Sequence, residues 1–152
     1  MKFLPILLLY LLCFLNGMAQ QSIDYLAEQS KNVRYSCEIS NPDSVDASIQ
    51  NLLRLDPSQI SNGLYDYYYD LGMAYYMKSF MYKKVEFKPN AYDCFLKCVQ
   101  IDQTRGDAYH NLLVMYYIDK QIDKAKALLD PYKRYAPLRY RDRKLIGRIK
   151  NG

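Results

Sequence analysis

The sequence is poor in the residues that most catalytic and metal sites need. It contains one histidine, no tryptophan, six glycines and six prolines in 152 residues. A single histidine excludes a site built from several imidazoles, and the scarcity of glycine and proline argues against a collagen-like or mostly disordered chain. Half of the residues are apolar, which predicts one domain with a compact core. Tyrosine is in excess, with 17 copies.

Motifs that carry enzymatic chemistry are absent as well. The chain has no Gly-x-Ser-x-Gly, His-Glu-x-x-His or phosphate-loop pattern, and no paired-cysteine zinc spacing. Asp66 and Asp70 are one helical turn apart and could act as a carboxylate pair, but two side chains on a solvated helix edge explain them more simply. We therefore expect a protein that is not an enzyme and has no cofactor. If the protein were an enzyme, changing His110, Asp66 or Asp70 should abolish its turnover.

The amino terminus has the pattern of a secretory signal peptide. Lys2 precedes an apolar run over residues 3–15, interrupted only by Pro5, and residues 17–19 place small side chains at both cleavage-determining positions. The pattern predicts a signal peptide over residues 1–19 and an exported protein, either periplasmic or secreted. A retained membrane anchor is the alternative, although the run is shorter than the roughly 20 residues that a spanning helix needs.

Three cysteines follow this segment: Cys37, Cys94 and Cys98. An odd number excludes a framework built only of intramolecular disulfides. Cys94 and Cys98 share one face of any helix that contains them, so they could form half of a metal site completed by Cys37 and His110. The simpler interpretation is that these small side chains fill the seam between two packed helices. We favour it and expect no metal site.

The body of the chain has helical periodicity and repeats itself. The first pattern is Tyr68-x-x-Leu71-Gly72-x-x-Tyr75, which recurs as Tyr109-x-x-Leu112-Leu113-x-x-Tyr116. The second pattern is Ala91, Phe95 and Cys98, which recurs as Ala125, Leu129 and Tyr132. The offset of the first pattern exceeds that of the second by seven residues. This difference predicts an insertion between two helices, within residues 79–88.

These patterns resemble the tetratricopeptide repeat, a pair of antiparallel helices in which large aromatic, leucine and small residues recur at fixed positions. Pro137 matches the proline that closes the second helix. A partial copy precedes the two others: Val45 to Leu53 would form its second helix, and Ile23, Leu26 and Ala27 would belong to its first. Residues 30–41 would then form a long connection. The resemblance implies an all-α fold of about two and a half repeats over residues 20–137, stacked as a short right-handed solenoid.

Single glycine, asparagine and proline residues predict local features of the helices. Gly72 should allow a neighbouring helix to approach closely. Asn41 followed by proline should start one helix, and Asn90 should start another. Pro131 falls inside the expected last helix of the repeats and should kink it or restart it after Asp130.

The segment 138–152 is strongly basic. Its cations are Arg139, Arg141, Arg143, Lys144, Arg148 and Lys150, against the single acid Asp142. Ile146 and Gly147 stand where Leu112 and Leu113 would recur, which predicts a polar helix that caps the array. A surface for anionic lipid or for an acidic partner is the alternative. Nucleic acid is not expected, because export removes the chain from most of it.

The resemblance implies that the first helices of each pair line a concave groove. The residues expected to project into it are Asp66, Tyr69, Met73, Tyr76, Met77, Asp107, His110, Val114 and Tyr117. Such a surface, aromatic and apolar with acidic ends, suits an extended peptide or a helix. The lysine and asparagine with which some family members clamp a terminal carboxylate are missing at Tyr69, Met73, His110 and Val114.

The predicted function is therefore a non-enzymatic interaction module or scaffold in the periplasm that binds a protein or peptide. A further helix, the insertion or the amino-terminal segment could cover the groove instead. The alternative function is a membrane-surface protein that uses its basic carboxyl-terminal helix or an uncleaved anchor.

Overall fold

The protein is all-helical throughout the part that the computed structural model describes. That part comprises residues 17, 24–60, 62–138 and 141–151. No strand occurs among these residues. The predicted all-α class is confirmed. Most of the predicted signal peptide lies outside the described residues.

Seven α-helices follow one another along the described chain. We number them α1 (24–38), α2 (Pro42–Leu53), α3 (Leu64–Tyr76), α4 (Lys88–Ile101), α5 (Gly106–Ile118), α6 (Ile122–Tyr135) and α7 (Arg143–Asn151). Each helix from α2 onward packs against the next one, most extensively α3 against α4 and α5 against α6. The turn between α5 and α6 is only three residues long, which makes the two helices antiparallel neighbours.

Equivalent positions of the two repeated patterns are buried in the same way. Leu71 is 5% exposed, and its counterpart Leu112 is fully buried. Ala91 and its counterpart Ala125 are both fully buried. The spacing read from the sequence therefore matches the alternation of core and surface in the helices.

The close approach predicted at Gly72 is present. A Cβ atom built on Gly72 would lie 2.9 Å from Cε1 of Phe95 and 3.1 Å from Cβ of Cys94. Any larger residue would push α3 and α4 apart or displace the Phe95 ring, which is itself fully buried.

Two expected breaks in the helices, a long connection from residue 30 and a restart after Asp130, do not occur. Residues 30–38 continue α1 instead of forming a long connection, since Ser30, Val33 and Ser36 bury one face of the helix at a helical spacing. Helix α6 runs without a break through Pro131 to Tyr135. The burial of Leu129 and Tyr132 on either side of the proline explains how packing overrides the missing backbone donor.

One of the two predicted helix starts is confirmed. The Asn41 side chain accepts hydrogen bonds from the backbone amides of Asp43 at 3.0 Å and Ser44 at 3.2 Å. The start expected at Asn90 is wrong, because α4 begins at Lys88 and has Pro89 in its first turn.

The inserted residues extend the end of α3 and then return to α4. A wider π turn covers Met77–Met81, and a 3-10 turn covers Val85–Phe87. The Lys78 ammonium is tied to the core, since it lies 2.5 Å from Asp46 Oδ1 on α2 and 3.8 Å from the centre of the Phe87 ring.

Helix α7 packs against α6 with a different register from the predicted one. Leu145 is 7% exposed and Ile149 is fully buried. Ile146 is only half-buried, and a Cβ atom on Gly147 would meet no atom within 4 Å. The connection after α6 shifts the buried face by one residue, so the recurrence expected at Ile146 and Gly147 is wrong.

Within the described residues, none of the helices combines the length and the apolar character that crossing a membrane requires.

Candidate functional site: the α3–α5 groove

Eight of the nine residues predicted to line the groove are partly exposed. They are Asp66, Tyr69, Met73 and Tyr76 on α3, and Asp107, His110, Val114 and Tyr117 on α5. The ninth, Met77, is 8% exposed and belongs to the core. We call the surface formed by the eight residues the α3–α5 groove.

Side-chain contacts join α3 and α5. The Asn111 amide nitrogen lies 3.3 Å from the Tyr69 hydroxyl and 3.5 Å from the Met73 sulfur. The Tyr69 ring packs edge-on against Phe95, with 5.8 Å between the ring centres. Tyr69 and Met73 therefore serve the structure as well as the groove, and Asn111 is a contributor that the sequence patterns did not reveal.

The acidic end of the groove is organised by an arginine that sequence reasoning missed. Arg105 donates to Asp66 at 2.8 Å and to Asp107 at 3.0 Å. Its guanidinium lies 3.7 Å from the centre of the Tyr65 ring, and the Tyr65 hydroxyl donates to Asp107. The groove therefore does not end in two free carboxylates, because a single cation offsets part of their charge and donates to one oxygen of each.

Beside this network lies a cavity of about 210 Å³ between α3, α5 and the end of α6. Its lining is formed by Tyr69, Gly106, Asp107, His110, Tyr132, Ala136 and Pro137. A Cβ atom on Gly106 would lie 2.5 Å from the Ala136 Cα. The glycine thus allows the chain after α6 to form one wall of the cavity.

A chain of hydrogen bonds holds the His110 side chain of α5 at the cavity. Its Nδ1 lies 3.2 Å from the Tyr132 hydroxyl, which accepts the backbone N–H of Asp142 at 3.0 Å. Burial lowers the pKa of His110, so its imidazole is neutral at pH 7. The side of the cavity formed by His110 and Tyr132 is therefore polar but uncharged.

Asp70 is not on a solvated helix edge, contrary to expectation. The residue is 2% exposed, and its Oδ2 atom is buried with no hydrogen-bond partner among the residues that the structure describes. Desolvation raises the pKa of Asp70 to about 6, against a lowering by the Ser30 hydroxyl and by Arg34 of α1. The proposed carboxylate pair therefore consists of one buried acid and one acid that is paired with Arg105.

The cysteines are free thiols in the described structure. Cys94 and Cys98 are buried where α4 meets α3, as the simpler interpretation predicts, and the Cys98 thiol donates to the Tyr65 carbonyl at 3.6 Å. Burial raises the pKa of Cys37 to about 11 and that of Cys94 to about 12. Over the described part of the chain, no three histidine, cysteine or acidic side chains come together as metal ligands.

At the other end of α5 lies an open, positively charged depression of about 570 Å³. It is lined by Tyr117, Arg143, Lys144, Gly147, Arg148 and Asn151. Among the described residues, none of its three cations forms an ion pair. Arg141 has a different role, because its Nε donates to the Ala136 carbonyl at 2.8 Å, and Arg139 lies outside the described residues.

Comparisons of the chain with protein-family models, with curated proteins and with solved structures found no match.

Proposed function

We propose that the chain is a small, exported interaction module that binds a protein segment in the α3–α5 groove and performs no catalysis. In this proposal α1 to α6 are three tetratricopeptide-like hairpins, stacked as a short right-handed solenoid, and α7 caps the last one. The helix order, the short connection between α5 and α6 and the matching burial of the repeated positions support this architecture.

The observation that carries the functional proposal is the row of partly exposed side chains beside a cavity. His110, Val114 and Tyr117 follow one another at spacings of four and three residues, so they share one face of α5. The row begins at His110, which lines the cavity together with Tyr69, and continues along α5 to Tyr117. Tyrosine and valine offer a large contact area with few rotamers to immobilise, which favours binding of another chain.

The chemistry of the groove supports binding better than catalysis. The two carboxylates at its end are engaged by Arg105, and the imidazole of His110 contacts the Tyr132 hydroxyl. These groups already satisfy one another, which suits a preorganised binding surface.

Site-specific photocrosslinking in cells that make the protein tests the proposal. The photoreactive residue p-benzoylphenylalanine would replace Tyr117 in the groove or, as a control, Leu96, which is 40% exposed on α4. We expect a discrete light-dependent protein adduct from position 117 and none of the same size from position 96. The adduct should disappear when Val114→Glu places a charge in the groove, while circular dichroism stays helical.

Identical adducts from the two positions, or no adduct from position 117, would count against the groove. An adduct that survives Val114→Glu would place the contact elsewhere on the surface around Tyr117.

A further inference from the structure

The groove joins two surfaces of different character. The cavity beside His110 lies at one end, and the depression that contains Tyr117 and the α7 cations lies at the other. His110 and Tyr117 are seven residues apart on α5, which corresponds to about 10 Å along the helix axis. A short extended segment can therefore span this distance and contact both surfaces.

The charges of the two ends differ in sign. At the cavity end, Arg105 offsets only one of the two charges of Asp66 and Asp107, so a negative charge remains. At the other end, Arg143, Lys144 and Arg148 form no ion pair among the described residues. A ligand that matches these charges therefore carries acidic groups at α7 and none at the cavity.

We propose that the groove binds an acidic peptide segment that places one aromatic or leucine side chain in the cavity and two carboxylates against Lys144 and Arg148. The proposal rests on the function proposed above and adds the chemistry of the partner. An extended chain advances about 3.3 Å per residue, so the anchor and the acidic pair are separated by about three to four residues.

The cavity fits one side chain of this kind. Its volume of about 210 Å³ is below the roughly 300 Å³ at which drug-sized pockets begin. The rings of Tyr69 and Tyr132 line it together with Ala136 and Pro137. An acidic anchor would lose its hydration there and be repelled by the remaining negative charge, and a cationic one would compete with Arg105 for Asp107, whereas an apolar anchor gains contact area.

A protein segment fits the basic depression better than a lipid surface. Amphipathic helices that bind membranes insert their apolar face, but Leu145 and Ile149 of α7 are buried against the bundle. Only the charges of α7 are left for a membrane, and the depression also includes the Tyr117 side chain, which lies on the groove face of α5.

An array of synthetic nine-residue peptides tests the proposal with the purified protein. Each peptide carries one phenylalanine and a pair of glutamates placed one to seven residues away, with glycine and serine elsewhere. We expect the strongest binding at a separation of three to four residues. Replacing the glutamates by glutamines should weaken binding between about twofold and thirtyfold, and replacing phenylalanine by alanine should weaken it at least about tenfold.

Variants of the protein locate the acidic end. The double substitution Lys144→Gln and Arg148→Gln should weaken the best peptide as much as loss of its glutamates, and should abolish the dependence of binding on those glutamates. The control, Lys84→Gln with Lys126→Gln, removes the same charge from exposed residues outside the groove and should leave binding unchanged. A peptide with p-benzoylphenylalanine as its anchor should crosslink to residues that line the cavity.

Equal binding of glutamate and glutamine peptides, or crosslinking away from the cavity, would overturn the proposal. If no peptide binds but vesicles with anionic lipid are retained through Lys144 and Arg148, the basic surface serves a membrane and the proposal is also wrong. An adduct from Tyr117 in cells, combined with a partner that lacks the acidic pair, would leave the proposed function standing and reject only this inference.

Discussion

The burial of the Asp70 carboxyl group predicts how the free energy of unfolding depends on pH. Asp70 is 2% exposed on α3, and the neighbours that stabilise its charge are the Ser30 hydroxyl and the cations Arg34 and Arg105. Desolvation outweighs them and raises the pKa of Asp70 from 3.8 to about 6. The folded protein therefore holds the Asp70 proton more tightly than the unfolded chain does.

The sign and size of the effect follow from proton linkage. Between pH 4 and pH 6 the folded state binds more protons at this residue, so its contribution to the free energy of unfolding falls as pH rises. With a folded pKa near 6 and an unfolded pKa near 3.8, the loss between pH 4.5 and pH 7 is about 2 kcal/mol. The amide in Asp70→Asn can accept the same Ser30 hydrogen bond and has no ionised form to desolvate.

Urea unfolding of the wild type and of Asp70→Asn at pH 4.5, 5.5, 6.5 and 7 measures this contribution. The difference between the two proteins removes the titration of all other groups. As pH rises from 4.5 to 7, the free energy of unfolding of the variant should increase by about 2 kcal/mol relative to that of the wild type. Asp123→Asn, an exposed change in the first turn of α6, is the control and should show no comparable trend. If the wild type instead gains stability over Asp70→Asn as pH rises, Asp70 is better solvated than its burial implies and the reasoning fails.

Two further predictions concern the core. Leu112→Ala removes a fully buried side chain and should lower the free energy of unfolding by about 2 to 5 kcal/mol, whereas Leu96→Ala, at a residue 40% exposed, should cost much less. A loss below about 0.5 kcal/mol at Leu112, the size typical of surface substitutions, would contradict the repeat register. Gly106→Ala should destabilise by about 1 to 3 kcal/mol, because the new methyl group meets the Ala136 backbone, while Gly147→Ala faces open space and should stabilise α7 slightly. Thermal or urea unfolding measures both changes. Equal effects would show that the backbone around Ala136 moves to accommodate the new methyl group at little cost.

The core of the fold could be read from the sequence, because packing between successive helices repeats the same residue types at constant spacing. Leu71 and Leu112, and likewise Ala91 and Ala125, have the burial that this periodicity predicts. Gly72 could be interpreted because a small residue in an apolar stripe indicates a close approach. These inferences depend only on contacts within and between neighbouring helices.

Positions where a second interaction competes with local propensity could not be predicted. A proline inside a helix removes one backbone hydrogen bond, and the expected break at Pro131 is based on that loss alone. Burial of Tyr132 keeps α6 continuous. Ser30 and Ser36 look like loop residues, although both lie on the buried face of α1, where the Ser36 hydroxyl bonds the Asn32 carbonyl at 2.7 Å. The pairing of Arg105 with Asp66 joins two residues that are far apart in the sequence, and no local pattern indicates it.

The candidate site itself arises where the repeat is broken. The offset that relates Leu71 to Leu112 also relates Tyr65 to Gly106, so the equivalent position of the preceding hairpin holds a large, buried aromatic side chain. The glycine removes that bulk and brings Ala136 against the start of α5, while the neighbouring Arg105 joins the first turn of α3 to the same turn. A cavity that depends on this glycine cannot recur in the preceding hairpin, where the Tyr65 ring lies beneath the guanidinium of Arg105. The cavity end of the groove is therefore shaped by Arg105 and Gly106, which depart from the repeated pattern, rather than by the residues that follow it.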